Sequence, residues 1–194
     1  MREENLQVVL MRLFLIMAIV LSGCWAGVAH ASDFRNASWG MSLSEVESLH
    51  GEQLPADRRL GRIAYDGRLT GLKVLIYYRF NEAGGLTEAG YEIETRDLAP
   101  ATVLEQYQSL NTLLRRRYPE SAAPQSTWRN DIFKAKPEQW GRAVRVGHLS
   151  YEWEHVHDST RIQHALSGNR RSINHVIQYQ QVAVASQEDL LEQL

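Results

Sequence analysis

The sequence predicts an α+β fold: about six antiparallel strands, in one sheet or two joined sheets, with helices packed on one face. Three observations carry this. Two amphipathic helical segments are each followed by a run of β-forming segments. The strands alternate apolar and charged residues, as half-wet antiparallel strands do. The order helix, three strands then occurs twice, giving two α-βββ units over about 32–96 and 97–185 of one domain spanning 32–185.

Residues 1–31 precede that domain and read as a secretory signal. The apolar run Leu13 to Leu21 follows Arg12, and Ala29-His30-Ala31 forms an A-x-A site before Ser32-Asp33. Cleavage between Ala31 and Ser32 places the protein in the periplasm or outside the cell. Leu21-Ser22-Gly23-Cys24 also matches a lipobox, with Cys24 the chain's single cysteine, so lipidation there would tether the protein to a membrane. Trp25 to Ala29 makes a poor tether, because it is not polar and flexible. An uncleaved anchor is the third reading, although the apolar stretch is shorter than the roughly 20 residues a span needs. Translation starts at Met1 or at Met11, the latter avoiding Glu3 and Glu4 in the n-region.

The first helix is predicted after Trp39-Gly40-Met41. Ser42 and Glu45 form a capping box, Met41 and Val46 a hydrophobic staple, and Gly51 a stop. Strands follow at Gly61–Tyr65, ending in an Asp66-Gly67 turn, at Leu72–Phe80, and at Leu86–Thr95. A long helix is expected from Pro100 to Tyr118, because Val103, Tyr107, Leu110 and Leu114 recur at four, three and four residues. Arg115, Arg116 and Arg117 suit its C-terminal end as a solvated turn. Residues 119–146 read as a long loop, with a short helix starting at Pro137. Strands return at His148–His157, Arg161–Leu166 and Ile173–Val184, separated by turns at Asp158–Thr160 and Ser167–Arg170. The tail 186–194 has a Ser186/Asp189 capping pattern and is predicted to be helical. Gly61-Arg62-Ile63-Ala64-Tyr65 and Gly147-His148-Leu149-Ser150-Tyr151 share a G-x-[IL]-x-Y start, a hint of duplication.

The opening Trp39-Gly40-Met41-Ser42-x-x-Glu45-Val46 resembles that of a family of small exported bacterial proteins without assigned activity, where it follows the signal peptide directly. Leu75-Ile76-Tyr77-Tyr78, Arg117-Tyr118-Pro119 and Trp153 with Thr160-Arg161-Ile162 are similar too. That resemblance supports cleavage after Ala31 and implies no catalytic residues. Gly40-Met41-Ser42-x-x-Glu45-Val46 is more distantly similar to the helix start of small lipoproteins of the β-barrel assembly machinery and of β-lactamase inhibitory protein. Both imply a helix-plus-sheet binding module.

The net charge of −2 argues against a nucleic-acid partner. No G-x-S-x-G, H-E-x-x-H or P-loop pattern occurs, and the Glu152/Glu154 pair reads as solvated strand surface. The tyrosine-rich stripe Tyr77, Tyr78, Phe80 and Tyr91 reads as core and cross-strand packing. The leading expectation is a non-enzymatic module that binds an envelope protein or other envelope component without a cofactor, touching a membrane only if lipidated or uncleaved. The alternative is a metal-binding protein or metal-dependent hydrolase built on histidines. If Ser159-Thr160 is a two-residue loop, His155 faces His164; if Leu166 pairs with Ile173, His164 faces His175. His155, His157 and His164 would then form a triangle able to hold zinc.

Overall fold

The computed structural model describes residues 33–182. Residues 1–32, on which the expected cleavage at Ala31 and Ser32 and lipidation at Cys24 fall, and the tail 186–194 lie outside the described residues.

The fold is α+β, with one antiparallel sheet of eight strands rather than six. In chain order the elements are α1 (Leu43–Leu49), β1 (Asp57–Arg59), β2 (Arg62–Leu69), β3 (Leu72–Phe80), β4 (Leu86–Ile93), α2 (Pro100–Arg117), β5 (Gln125–Trp128), α3 (Trp140–Arg145), β6 (Leu149–His157), β7 (Thr160–Gly168) and β8 (Ile173–Gln181). The spatial order β1-β2-β3-β4-β8-β7-β6-β5 makes two four-stranded meanders joined by their last strands. The two added strands, β1 and β5, are the sheet's edges, and both are short and largely exposed. Short polar edges protect a sheet from pairing with other chains.

The G-x-[IL]-x-Y match falls on corresponding strands. It leads into β2 and β6, the second strand of each meander. Both glycines have positive φ (68° for Gly61, 80° for Gly147). A Cβ on Gly61 would press on the carbonyl of Phe80 at the end of β3, and one on Gly147 on that of Gly168 at the end of β7. The two matched glycines thus occupy corresponding places in the two meanders.

Two glycines read as turns are instead places of close packing. The β2–β3 hairpin turns at Thr70-Gly71, both at positive φ, with Leu69 opposite Leu72. Asp66 and Gly67 continue the strand, and the side chain of Ile76 fills the space a Cβ on Gly67 would occupy. Gly168 likewise extends β7 to pair with Ile173, because the end of α3 sits on it: an added Cβ would lie 2.1 Å from the Val144 carbonyl oxygen.

All three helices lie on one face of the sheet. Val46 of α1 is buried with Ile63, Tyr65 and Tyr78, and Leu110 and Leu114 of α2 join the same cluster. Val103, Leu104 and Tyr107 of α2 pack with Ala143 and Val144 of α3 over Leu149, Leu166 and Ile173. The periodic positions of α2 are therefore the buried ones, and Arg115, Arg116 and Arg117 are exposed at its last turn. Trp39 ties the N-terminal segment to the start of β7 by donating its indole N–H to the Thr160 hydroxyl at 3.0 Å.

The capping box closes as predicted. The Ser42 hydroxyl accepts from the Glu45 amide, and the Glu45 carboxylate accepts from the Ser42 amide at 2.7 Å. Met41 packs against the cluster that contains Val46. Ser42→Ala is expected to destabilise the protein by about 1 kcal/mol, read as a shift in the urea midpoint without change in slope.

Candidate functional site

The second face of the sheet carries none of the three helices, and its residues form registered rows. One row crosses seven strands: Asp57, Ala64, Tyr77, Gly90, Gln178, Gln163 and Glu154. Successive residues on a strand face opposite ways. Tyr78 therefore joins the helix-side core, whereas its neighbour Tyr77 faces outward.

Tyr77 is only 4% exposed on this face, which none of the described helices covers, and its neighbours help to explain why. Ala64 on one side and Gly90 on the other are too small to stand beside it. The Tyr77 ring lies over Gly90, where a Cβ would come within 2.9 Å of it. A cross-strand aromatic over a glycine shields the bare backbone of that strand. The Arg62 guanidinium lies 5.3 Å from the ring centroid, a cation–π contact. Arg62 also donates to Asp57 (2.5 Å) and to Glu92 (2.8 Å), and its side chain is 14% exposed. Burial and the Glu88 carboxylate raise the Tyr77 phenol well above its ordinary pKa, so it is a neutral hydroxyl at any physiological pH. Glu88 is itself paired with Arg79 at 3.2 Å. This is a pinned network of charges and one aromatic, spread over β1 to β4.

The other half of the face is richer in amides and carboxylates. Gln163 donates to Glu154 at 2.8 Å, and Arg161 lies 3.4 Å from the same carboxyl group. Glu152, Glu154 and Val156 of β6 are exposed, as expected for the Glu152/Glu154 pair.

The histidines are placed differently from the expected register. The β6–β7 loop is Asp158-Ser159, with His157 opposite Thr160. Asp158 takes the left-handed conformation at φ 51°, which aspartate tolerates in tight turns. This puts His155 opposite Ile162, and Trp153 opposite His164. Gly168 pairs with Ile173, so His175 lies opposite Leu166. Both expected pairings, His155 with His164 and His164 with His175, are corrected by two residues. An even shift keeps every side chain on its face, so all four histidines still point toward the helices.

The correction separates the expected zinc triangle. His155 and His157 lie at the end of β6 beside Tyr118, at ring distances of 5.1 and 5.7 Å. His164 lies instead beneath Tyr107 of α2 at 4.2 Å. Among the described residues no group of three histidine, cysteine or acidic side chains is arranged to hold a metal. His164 does meet His175, diagonally, with their Nε2 atoms 3.0 Å apart. They are 0% and 1% exposed. One Nε2 must donate and the other accept, which for two neutral rings means opposite tautomers. Burial lowers both pKa values, that of His175 to about 4, and His175 further disfavours a charge on His164.

Sequence reasoning missed Arg62, Tyr77 and Gly90 as a unit. A glycine at the centre of a strand, one strand away from a tandem tyrosine pair, was the available signal. Comparison with known protein families, with characterised proteins and with solved structures finds no match to this chain.

Proposed function

We propose that this chain is an exported, non-enzymatic binding module that grips an envelope protein or other envelope component through the helix-free face of its sheet. The observation behind this reading is the contrast between the two faces. One buries the helices; the other bears a registered row from Asp57 to Glu154 whose central side chains are held by neighbours. Eight strands at about 4.8 Å spacing span roughly 35 Å. That is room for a standard interface of about 800 Å² per partner. Pre-set side chains lose little entropy on binding, which favours affinity. Exposed Glu152 and Glu154 on β6 complement a partner that presents lysine or arginine there.

A photoreactive residue placed at Gln163 or at Gln178 in the exported protein tests the reading. Both positions are expected to crosslink one common partner, and Thr112 on the exposed side of α2 is expected not to. Crosslinking that is absent at the two sheet positions, or equal at Thr112, rejects it. Export itself is tested by intact mass, with a mature species expected to begin at Ser32. A species beginning at Cys24 and heavier by acyl chains would place the module on a membrane instead.

A further inference from the structure

A recess lies on the helix side, away from the sheet face just described. It has a volume of about 300 Å³, is open on one side, and is bordered by the N-terminal turn, the tip of the β2–β3 hairpin, the end of α2 and the floor of β4 and β8. This is the lower end of the 300–1,000 Å³ typical of small-molecule sites.

Its walls are apolar. Leu110 and Leu114 of α2 face Ile177 of β8, and the Phe34 ring stands 5.1 Å from that of Tyr91 and 5.0 Å from that of Tyr179. Into this setting come two guanidinium groups, Arg35 and Arg117. Neither makes an ion pair with a carboxylate among the described residues. Arg117 donates to the Tyr118 hydroxyl at 3.2 Å. Arg35 sits at φ 54°, a conformation non-glycine residues seldom adopt, at the tip of the turn closed by Phe34 and Ala37. The phenols of Tyr91 and Tyr179 are both held neutral by burial, with the Arg35 charge acting on the first and the Arg117 charge on the second. The charges and hydroxyls thus converge on one apolar recess.

Both guanidinium groups border the hydrocarbon wall of this recess. An anion held at these two groups gains charge-assisted hydrogen bonds. An apolar body on that anion fills the remainder of the space. We propose that this recess binds a small amphiphilic carboxylate, its apolar end between Phe34, Leu110, Leu114 and Ile177 and its carboxylate at Arg35 and Arg117. The chemistry is that of a short-chain fatty acid or an arylacetic acid. Tyrosine hydroxyls can complete the shell around the carboxylate oxygens.

The test is titration calorimetry of the full mature chain with hexanoate, octanoate and phenylacetate, alongside octanamide as the uncharged control. Saturable binding of at least one carboxylate, with no response to the amide, is expected. Arg35→Gln and Arg117→Gln change exposed side chains, so the fold should survive. Each is expected to weaken binding about tenfold or more, the loss of a charged hydrogen bond. Equal binding of amide and carboxylate, or unchanged affinity in both variants, overturns the proposal. So does the absence of any response, whether the recess is then filled by the acidic, leucine-bearing residues 183–194 or by a second copy of the chain. The sheet-face reading is untouched by either result, because Gln163 and Gln178 lie on the opposite face.

Discussion

Acidification from pH 7 to pH 5 is expected to cost this protein roughly 3–4 kcal/mol of stability through His164 and His175 alone. Each imidazole is neutral in the fold, with its pKa lowered by burial. In the unfolded chain each titrates near pH 6.5. Below that pH the unfolded state binds more protons than the folded one, so stability falls as pH falls. The stabilisation is complete above about pH 6.5 and is lost towards the folded pKa, which is about 4 for His175 and lower still for His164. The slope in this window is about 1.4 kcal/mol per pH unit for each ring.

Structure explains why the pair resists protonation. A proton on the accepting Nε2 would abolish the 3.0 Å hydrogen bond and set two donors face to face. The neighbouring groups offer no relief: the Nδ1 atoms of both rings, the Tyr107 hydroxyl and the Trp153 indole N–H are all buried without a hydrogen-bond partner among the described residues. His50 titrates in the same direction, its pKa lowered by burial against Tyr65 and Tyr78, and adds to the acid sensitivity. Urea unfolding of the wild type and of His164→Leu/His175→Leu at pH 7.5 and pH 5.0 measures the effect. The wild type should lose the larger share of its midpoint, and the double variant should retain only the His50 and carboxylate contributions. Parallel losses in both proteins would show that the pair takes up protons as readily in the fold as in the unfolded chain.

Much of the helix side was legible in the sequence because local rules decide it. Four apolar residues at helical spacing set the buried face of α2, and the Ser42/Glu45 box set the start of α1. The edge strands were not legible. Asp57–Arg59 and Gln125–Trp128 are short and polar, and only pairing with β2 and β6 makes them strands. Two glycines misled for one reason. Gly67 and Gly168 each sit in turn-like sequence, yet each is small because another group occupies its side-chain space. The sequence shows that a glycine is present and hides which close approach requires it. The histidine register failed by the same kind of ambiguity. Moving the two-residue loop from Ser159-Thr160 to Asp158-Ser159 is one step along the chain, but it slides every pair on β6 and β7 by two.

Gly90→Ala carries the second large effect. Gly90 lies on β4 opposite Gln178 of β8, at the seam that joins the two halves of the sheet. A Cβ there would lie 2.3 Å from the Ile177 carbonyl oxygen and 2.9 Å from the Tyr77 ring. The ring can swing outward, but the carbonyl belongs to β8 and moves only if the seam moves with it. Overpacking of this kind typically destabilises by about 1–3 kcal/mol, and a clash with backbone belongs at the upper end. Gly85→Ala is the matched control, since its Cβ meets nothing closer than 3.5 Å and its φ is not positive. It should be neutral, or slightly stabilising through the lower entropy of the unfolded chain. Urea midpoints compare the two. The sheet-face reading adds a second expectation: Gly90→Ala, measured where it is still folded, should also lose crosslinking from Gln178, because the Tyr77 ring that lies across the row has been displaced. A variant as stable as Gly85→Ala would mean that β4 and β8 yield at their seam, and that Tyr77 is not held by the glycine beneath it.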